Sequence, residues 1–517
     1  MWRRELLAGV ATLAGMAWGA DRLFAVIGGA SLASAQTPAS SGDGVPFDAH
    51  LVRQRARDLA ARPFKPGNQS LPKSLDDLSY DQYRNIRFDA ERAIWGKQGL
   101  PFELQLLHRG FLFRDRVDIA IVAEGKARPV PYNLDWFRFE HGMAAPEQGA
   151  DLGLSGFRLH GPLNRSDYYD EVAVFQGASY FRAVAKGQVY GSSARGLSLK
   201  TGHASGEEFP AFKSFWIERP RAGVNSIVIH ALLDSPSTAA ALRFTIVPGE
   251  STVFTVETTL YPRVDLDQVG LGSLTSMFFF GPNDRDGIDD FRPTVCDANG
   301  LAMLTGNGEM IWRPLTNPRR LQLSAFADSN TRGFGLMQRQ RSFFDYQDLE
   351  AQYEKRPSVW VEPVGAWGEG AVHLVEIPTR EEVHDNIVAF WRPKEPLRKG
   401  AEYNHTYRLH WTWDMRERAD LARFGATRVG GVADRRLFVM DILGPSIKGL
   451  SPASLRAEVK ASRGAIADVV VHANPNIGGI RLAFSLEPKG TDLSELRAVL
   501  LQGSEPVSET WIYRWTS

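Results

Sequence analysis

Short runs of alternating apolar and polar residues, separated by turn-forming residues, dominate the chain from about residue 83 onward. One such run at 242–247 meets Pro248-Gly249, and a second run follows at 252–257. Alternation with a period of two places every second side chain on the same face of a strand, and a Pro-Gly pair between two runs is typical of a hairpin. The pattern therefore predicts a mainly β protein made of antiparallel sheets.

The chain length predicts more than one folding unit, because 517 residues exceed what one small core can organise. Residues 44–413 are expected to form a large β-sandwich, which opens with an amphipathic helix in the stretch from Phe47 to Leu59. Residues 432–517 match the size of an immunoglobulin-like sandwich. The charged, glycine-bearing stretch 414–431 between them is interpreted as a linker or mobile loop.

The N-terminus has the features of an export signal. Arg3-Arg4 precedes a long stretch rich in Ala and Gly, and Ala33-Ser34-Ala35 offers a cleavage site. We therefore expect residues 1–35 to be a twin-arginine (Tat) signal peptide and the mature protein to be periplasmic. The alternative is an uncleaved anchor, but Asp21-Arg22 interrupts the apolar run, and no later segment reaches the ~20 apolar residues of a stable span. Cys296 is the only cysteine, which excludes an intramolecular disulfide.

The charge balance and the motifs exclude several classes of function. Lys and Arg number 60 and Asp and Glu number 60, so nothing favours nucleic acid or an anionic membrane as a partner, and a neutral substrate fits better. The chain has no G-x-S-x-G, Walker or G-x-G-x-x-G motif. His405 and His410 fall on opposite faces of one strand, and the acidic turn 284–290 lacks the later Glu of a calcium loop. We therefore expect neither metal nor cofactor.

Carboxylates and aromatic residues remain as candidates for chemistry. Asp297 lies in a turn-rich stretch, and Asp385 lies in a polar cluster just before an apolar strand. Each carboxylate could equally belong to a solvated turn. Sugars need flat aromatic faces beside planar polar groups, and Trp312-Arg313 and Trp360 are such mixtures. The alternative for each aromatic ring is a place in the core.

Four further sequence blocks carry information. They are 307–318 with Asn307-Gly308-Glu309 and Trp312-Arg313-Pro314, 333–339 with Gly333-Phe334-Gly335, 356–363 with Arg356-Pro357-Ser358 and Trp360-Val361-Glu362-Pro363, and 376–389 with Glu376-Ile377-Pro378-Thr379 and Asp385-Asn386. These blocks resemble the periplasmic glucan biosynthesis proteins G and D, and the similarity extends along nearly the whole mature chain. With its twin-arginine start, the sequence is expected to be closer to form D.

This resemblance implies a galactose-mutarotase-like N-terminal sandwich with a long cleft, an immunoglobulin-like C-terminal domain and a β-1,2-glucan substrate. It implies that Asp297 and Asp385 are the catalytic pair, and we expect Asp297 to be the general acid and Asp385 the general base of an inverting reaction. Tyr353 and Glu382 match positions expected to line a proton relay through waters and a substrate hydroxyl, or the adjoining subsites.

The sequence departs from the family pattern beside Asp297, where Cys296 and Ala298 stand in place of the expected His and Ser. This departure changes which neighbouring side chains could hydrogen-bond the carboxylate of Asp297, the expected acid. The leading hypothesis is an inverting endo-β-1,2-glucanase that acts in the synthesis of osmoregulated periplasmic glucans. A non-catalytic glucan-binding or assembly protein and a branching transglycosylase are the alternatives, and the oligomeric state, with a homodimer as one option, stays open.

Overall fold

The computed structural model describes residues 44–147, 149–415, 417–432 and 434–517, so the expected signal peptide at 1–35 lies outside the described residues. The helices of the described residues are α1 (Ala49–Ala60), α2 (Lys73–Asp76) and α3 (Tyr80–Tyr83). Asp48 caps α1 by accepting a hydrogen bond from the backbone N–H of Leu51. The expected amphipathic helix is confirmed, and none of the described helices is long and apolar enough to cross a membrane.

Strands make up most of the remaining regular structure. Those before residue 414 are β1 (Val45–Pro46), β2 (Ile86–Phe88), β3 (Glu103–His108), β4 (Asp118–Ala123), β5 (Lys126–Pro129), β6 (Phe137–Phe139), β7 (Leu154–Gly161), β8 (Asp170–Gln176), β9 (Tyr180–Ala183), β10 (Ser193–Arg195), β11 (Ser198–Leu199), β12 (Ala211–Glu218), β13 (Ile227–Asp234), β14 (Thr238–Val247), β15 (Thr252–Pro262), β16 (Val269–Ser276), β17 (Phe278–Phe280), β18 (Val295–Cys296), β19 (Gly300–Leu304), β20 (Met310–Pro314), β21 (Gln322–Ser329), β22 (Gly333–Met337), β23 (Ser358–Val364), β24 (Glu369–Glu376), β25 (Ile387–Pro393) and β26 (Tyr403–Thr412). The strands after it are β27 (Arg423–Val432), β28 (Arg435–Leu443), β29 (Leu455–Ala461), β30 (Ala465–Asn474), β31 (Gly479–Glu487), β32 (Leu493–Gln502), β33 (Glu505–Pro506) and β34 (Thr510–Thr516).

Two large sheets form the N-terminal part. One has the strand order β1-β5-β4-β12-β13-β14-β15-β26-β23-β22-β19-β20 and continues into the C-terminal part, and the other has the order β21-β24-β25-β16-β10-β9-β8-β7-β3. The hairpin expected from the Pro-Gly turn is the antiparallel pair β14 and β15, in which Thr245 faces Thr255. The main hydrophobic core draws its buried residues from strands of both sheets. The predicted β-sandwich architecture is confirmed.

Alternation along β9 separates the core from a polar face of the second sheet. The ring of Phe181 stacks on that of Phe175 at a centroid distance of 5.4 Å and lies in the core. Tyr180 and Arg182, its neighbours on both sides, must point to the opposite face of the sheet. Tyr180 and Arg182 are nevertheless buried, so this face holds polar and charged side chains out of water.

The C-terminal part is a smaller sandwich that shares a sheet with the first one. Its four-stranded sheet has the order β27-β28-β31-β30, and a second layer, β34-β32-β29, extends the large sheet through parallel pairing of β20 with β34. Phe438, Phe484 and Trp511 pack between the layers. Because β27 begins at Arg423, the expectation that all of 414–431 is a linker or loop is wrong for its second half, where pairing with β28 orders the backbone.

Candidate functional site

Asp297 is held at the end of β18 by its own backbone and by an arginine. Its N–H donates to the carbonyl oxygen of Met277 at 2.8 Å, and its carboxylate accepts a hydrogen bond from the guanidinium of Arg356. The residue is only 5% exposed. The charge-assisted hydrogen bond from Arg356 therefore fixes the position of this buried carboxylate.

Asp385 is positioned by the side chain of the next residue. Asn386 is buried, and its amide nitrogen donates to the carbonyl oxygens of Phe278 at 2.9 Å and Ile377 at 3.0 Å, while its oxygen accepts from the N–H of Phe278 at 2.9 Å. Phe278 is paired across β17 and β18 with Cys296, the residue before Asp297. Asn386 therefore brings Asp385 to the strand pair that carries Asp297.

The two aspartates are in unlike electrostatic surroundings. Burial raises the pKa of Asp385 to about 6, the charge of Arg182 opposes this rise, and the charge of Asp297 adds to it. Oδ2 of Asp385 lies 3.6 Å from Nη2 of Arg182, which is a longer contact than a hydrogen bond. The charge of Asp297 therefore acts on Asp385, and Asp385 holds its proton up to weakly acidic pH.

Tyr353 and Glu382 lie in the same cluster. The guanidinium carbon of Arg356 stands 4.3 Å from the ring centre of Tyr353, and Glu382 Oε2 lies 2.8 Å from Arg292 Nη2. Burial raises the pKa of Tyr353 well above its usual value, the charge of Arg356 opposes this rise, and the charges of Glu382 and Asp297 add to it. The structure thus brings together four of the residues that the sequence had singled out.

Trp312, Arg313 and Trp360 lie away from this cluster. Trp312 is 3% and Trp360 is 1% exposed, and both rings belong to the core of the C-terminal sandwich. Arg313 is buried and places Nη2 3.0 Å from Oε2 of Glu376. Because β20 and β23 carry these rings into the core between the two parts of the chain, neither ring offers a free face for a sugar.

Comparison with known proteins shows the family of the chain. The sequence profile of the family described as "Periplasmic glucan biosynthesis protein, MdoG" matches residues 47–515. The chain belongs to this family. It is 56% identical over 479 residues to "Glucans biosynthesis protein G" of Rhodopseudomonas palustris, covering 92% of this chain and 95% of the relative.

Two further relatives in the MdoG family carry the same name. "Glucans biosynthesis protein G" of Bradyrhizobium diazoefficiens is 54% identical over 480 residues, covering 92% of this chain and 95% of the relative. That of Vibrio cholerae is 50% identical over 478 residues, covering 91% of this chain and 87% of the relative. All three relatives are proteins G, so the expectation of a closer resemblance to form D is not supported.

In this member of the MdoG family, the two departures beside Asp297 point into the core. Cys296 and Ala298 are fully buried, and the thiol lies 3.9 Å from Oε1 of Gln338. Burial raises the pKa of the Cys296 thiol, so it stays neutral. The side chain that hydrogen-bonds the Asp297 carboxylate is Arg356, so neither Cys296 nor Ala298 takes part in holding this carboxylate.

Sequence reasoning missed the arginines that control the carboxylates. Arg182, Arg292 and Arg356 each contact one of the clustered acids, yet each comes from a different segment. Arg182 alternates with core residues on an apolar strand, and Arg356 stands in a block of family resemblance, but neither pattern pointed to a carboxylate partner. Within the described part of the chain, no group of three or more His, Cys, Asp or Glu residues could hold a metal ion.

Proposed function

We propose that this protein is a periplasmic glycoside hydrolase of glucan biosynthesis, which cleaves the backbone of β-1,2-linked glucan internally and with inversion at the anomeric carbon. Family membership and the names of the relatives support a role in periplasmic glucan synthesis. The twin arginine at Arg3-Arg4 supports export by the twin-arginine route. The observation that carries the proposal is the buried pair Asp297 and Asp385, in which Arg356 donates a hydrogen bond to Asp297 while burial raises the pKa of Asp385 to about 6.

An inverting hydrolase needs one protonated carboxyl group for the leaving oxygen and one ionised carboxylate for the attacking water. The surroundings support the order opposite to the one expected from sequence. Asp385, with its pKa raised to about 6, suits the general acid, because it still carries a proton in weakly acidic solution. Asp297 suits the general base, because the hydrogen bond from the guanidinium of Arg356 orients its carboxylate.

Tyr353 and Glu382 complete the proposed proton path. Tyr353 stays protonated, so its hydroxyl can donate a hydrogen bond to a sugar oxygen or to a water on the way to Asp297. Glu382 is fixed by Arg292, which also donates to Asp348 at 2.8 Å. In such a relay, the attacking water does not need to contact Asp297. Its proton reaches the carboxylate of Asp297 along a chain of hydrogen bonds.

The test is to incubate the purified protein with linear β-1,2-glucan and to separate the products by size, with the anomer of the new reducing end followed by NMR. Asp297→Asn and Asp385→Asn should each abolish the release of oligosaccharides. Asp284→Asn is a matched control, because burial also raises the pKa of Asp284 to about 6, yet its carboxylate accepts from the N–H of Asn317 and contacts neither catalytic aspartate.

A glucan-binding protein without catalysis is the second candidate, because an ion pair such as Arg356 with Asp297 also occurs in purely structural sites. Binding of the glucan without release of products would favour this candidate. New β-1,6 linkages among the products would instead favour a branching transglycosylase.

A further inference from the structure

The acidic turn 284–290, which lacks the later Glu of a calcium loop, is held together by an arginine of its own. The guanidinium of Arg285 donates to three backbone carbonyl oxygens of its loop, namely those of Asp290 and Arg292 at 2.6 Å and that of Pro293 at 3.0 Å. Its carbon lies 5.0 Å from the ring centre of Phe280, a fully buried residue of β17. One cation therefore closes this loop onto itself just before β18 and Asp297.

Arg292, near the end of this loop, is the residue whose backbone the closure fixes. Its carbonyl oxygen accepts from Arg285, and its guanidinium lies between one carboxylate of its own loop and two carboxylates of other segments. The distance is 2.8 Å in each case, from Nη2 to Asp290 Oδ2 and Glu382 Oε2 and from Nη1 to Asp348 Oδ2. A shift of the backbone at Arg292 would therefore move the guanidinium relative to both of the other segments.

Both of these segments belong to the proposed proton path. Asp348 accepts from Arg292 with Oδ2 and from two backbone N–H groups with Oδ1, those of Glu350 at 3.0 Å and Ala351 at 2.8 Å. It thereby orders the turn that leads into Tyr353. The other segment carries Glu382, three residues before Asp385. The hydrogen bonds of Arg285 lie within its own loop, so its effect on these segments passes through Arg292.

We propose that Arg285 is a positioning residue, which holds Arg292 in the place where it orients both segments of the proposed proton path. The inference rests on the proposed function and deepens it, because it names what keeps the path aligned. The planar guanidinium offers several N–H donors in a fixed geometry, which suits three converging carbonyl oxygens. A neutral side chain at position 285 would leave these oxygens without their donor and let the loop relax. Misplacement of a catalytic group by about 1 Å can cost about a hundredfold in rate.

The kinetic test uses Arg285→Met, which keeps the apolar contact with Phe280 but removes the donors. With linear β-1,2-glucan as substrate, kcat should fall roughly tenfold to a hundredfold with little change in KM. Arg285→Lys, whose ammonium keeps the charge and three donors, should recover part of the loss. Arg319→Met is the matched control, because Arg319 contacts Asp286 of the same acidic turn at 3.5 Å and both side chains are exposed. It should leave kcat and KM unchanged.

A double variant separates positioning from a general loss of structure. If Arg285 acts through the proton path, adding Arg285→Met to Glu382→Gln should cost less than the product of the two single losses, because both changes impair the same path. Losses that multiply in full would overturn the role of Arg285 as a positioning residue. An unchanged kcat in Arg285→Met would overturn it as well.

Hydrogen–deuterium exchange tests the same inference without any activity. Peptides that cover 345–353 and 378–385 should exchange roughly fivefold faster or more in Arg285→Met, and at the wild-type rate in Arg319→Met. Faster exchange confined to 285–293 would overturn the inference, whether or not the wild-type protein cleaves the glucan. Faster exchange in both remote segments, in a protein whose wild type releases no products, would overturn the proposed hydrolysis and leave the coupling of the loops by Arg285 standing.

Discussion

The activity of the protein should fall as the pH is raised above the pKa of Asp385. With a pKa of about 6, this acid is about one-tenth protonated at pH 7, which is about a hundredfold more than an aspartic acid with the usual value of 3.8. If the protonated form is the general acid, kcat/KM should fall about tenfold for each pH unit well above 6. The pH at which this alkaline limb of the pH profile begins therefore reports the pKa of Asp385.

Arg182→Met is the variant that tests this assignment. The guanidinium, 3.6 Å from Asp385, holds the pKa down, and a neighbouring opposite charge typically shifts a carboxyl pKa by about one to three units. Its removal should move the alkaline limb upward by about one unit or more, whereas Arg182→Lys, which keeps the charge, should leave the limb near its original position. The measurement is kcat/KM against pH for the three proteins. A limb that stays in place or moves to lower pH in Arg182→Met would refute the role of Asp385 as the acid.

Three further predictions concern stability and positioning. Because folding raises the pKa of Asp385, the folded state loses stability as pH rises from about 4 to about 6. Asp385→Asn should therefore stabilise the protein by about 3 kcal/mol at pH 7 and hardly at pH 4. Urea unfolding at the two pH values measures this difference. Arg339→Met should destabilise it by about 3–5 kcal/mol in the same assay at pH 7, since it leaves Glu509 buried without its cation, whereas an unchanged midpoint would contradict the buried ion pair. Gln338→Leu should lower kcat roughly tenfold to a hundredfold with little change in KM, because the Gln338 amide joins the carbonyl oxygens of Cys296 and Tyr353.

The local elements of the fold could be predicted because their signals lie within a few residues of each other. The β14 and β15 hairpin follows from alternation around one turn, and α1 follows from apolar spacing between Phe47 and Leu59. The strand β27 could not be predicted, because its charged and glycine-rich sequence carries little alternation and its order comes from pairing with β28. Tertiary pairing decided this element, against the local pattern.

The candidate site was predictable only through family resemblance. Pattern alone did not distinguish Asp297 or Asp385 from an ordinary turn acid, since what marks them is burial and contact with arginines from remote segments. Trp312 and Trp360 show the opposite failure. Their neighbours suggested a sugar surface, but the pairing of β20 with β34 covers them with the C-terminal sandwich.

The same contact between the two sandwiches extends to the proposed catalytic pair. The guanidinium of Arg339 binds Glu509 at the C-terminal side, with Nη2 2.9 Å from Oε2, and its backbone N–H donates to Oδ1 of Asn299 at 2.7 Å. Asn299 lies two residues after Asp297, and the segment that starts at Arg339 runs on to Tyr353. The C-terminal sandwich therefore anchors both segments that hold the proposed base and the proposed proton path. We expect the arrangement of the proposed catalytic pair to depend on the interface between the two parts.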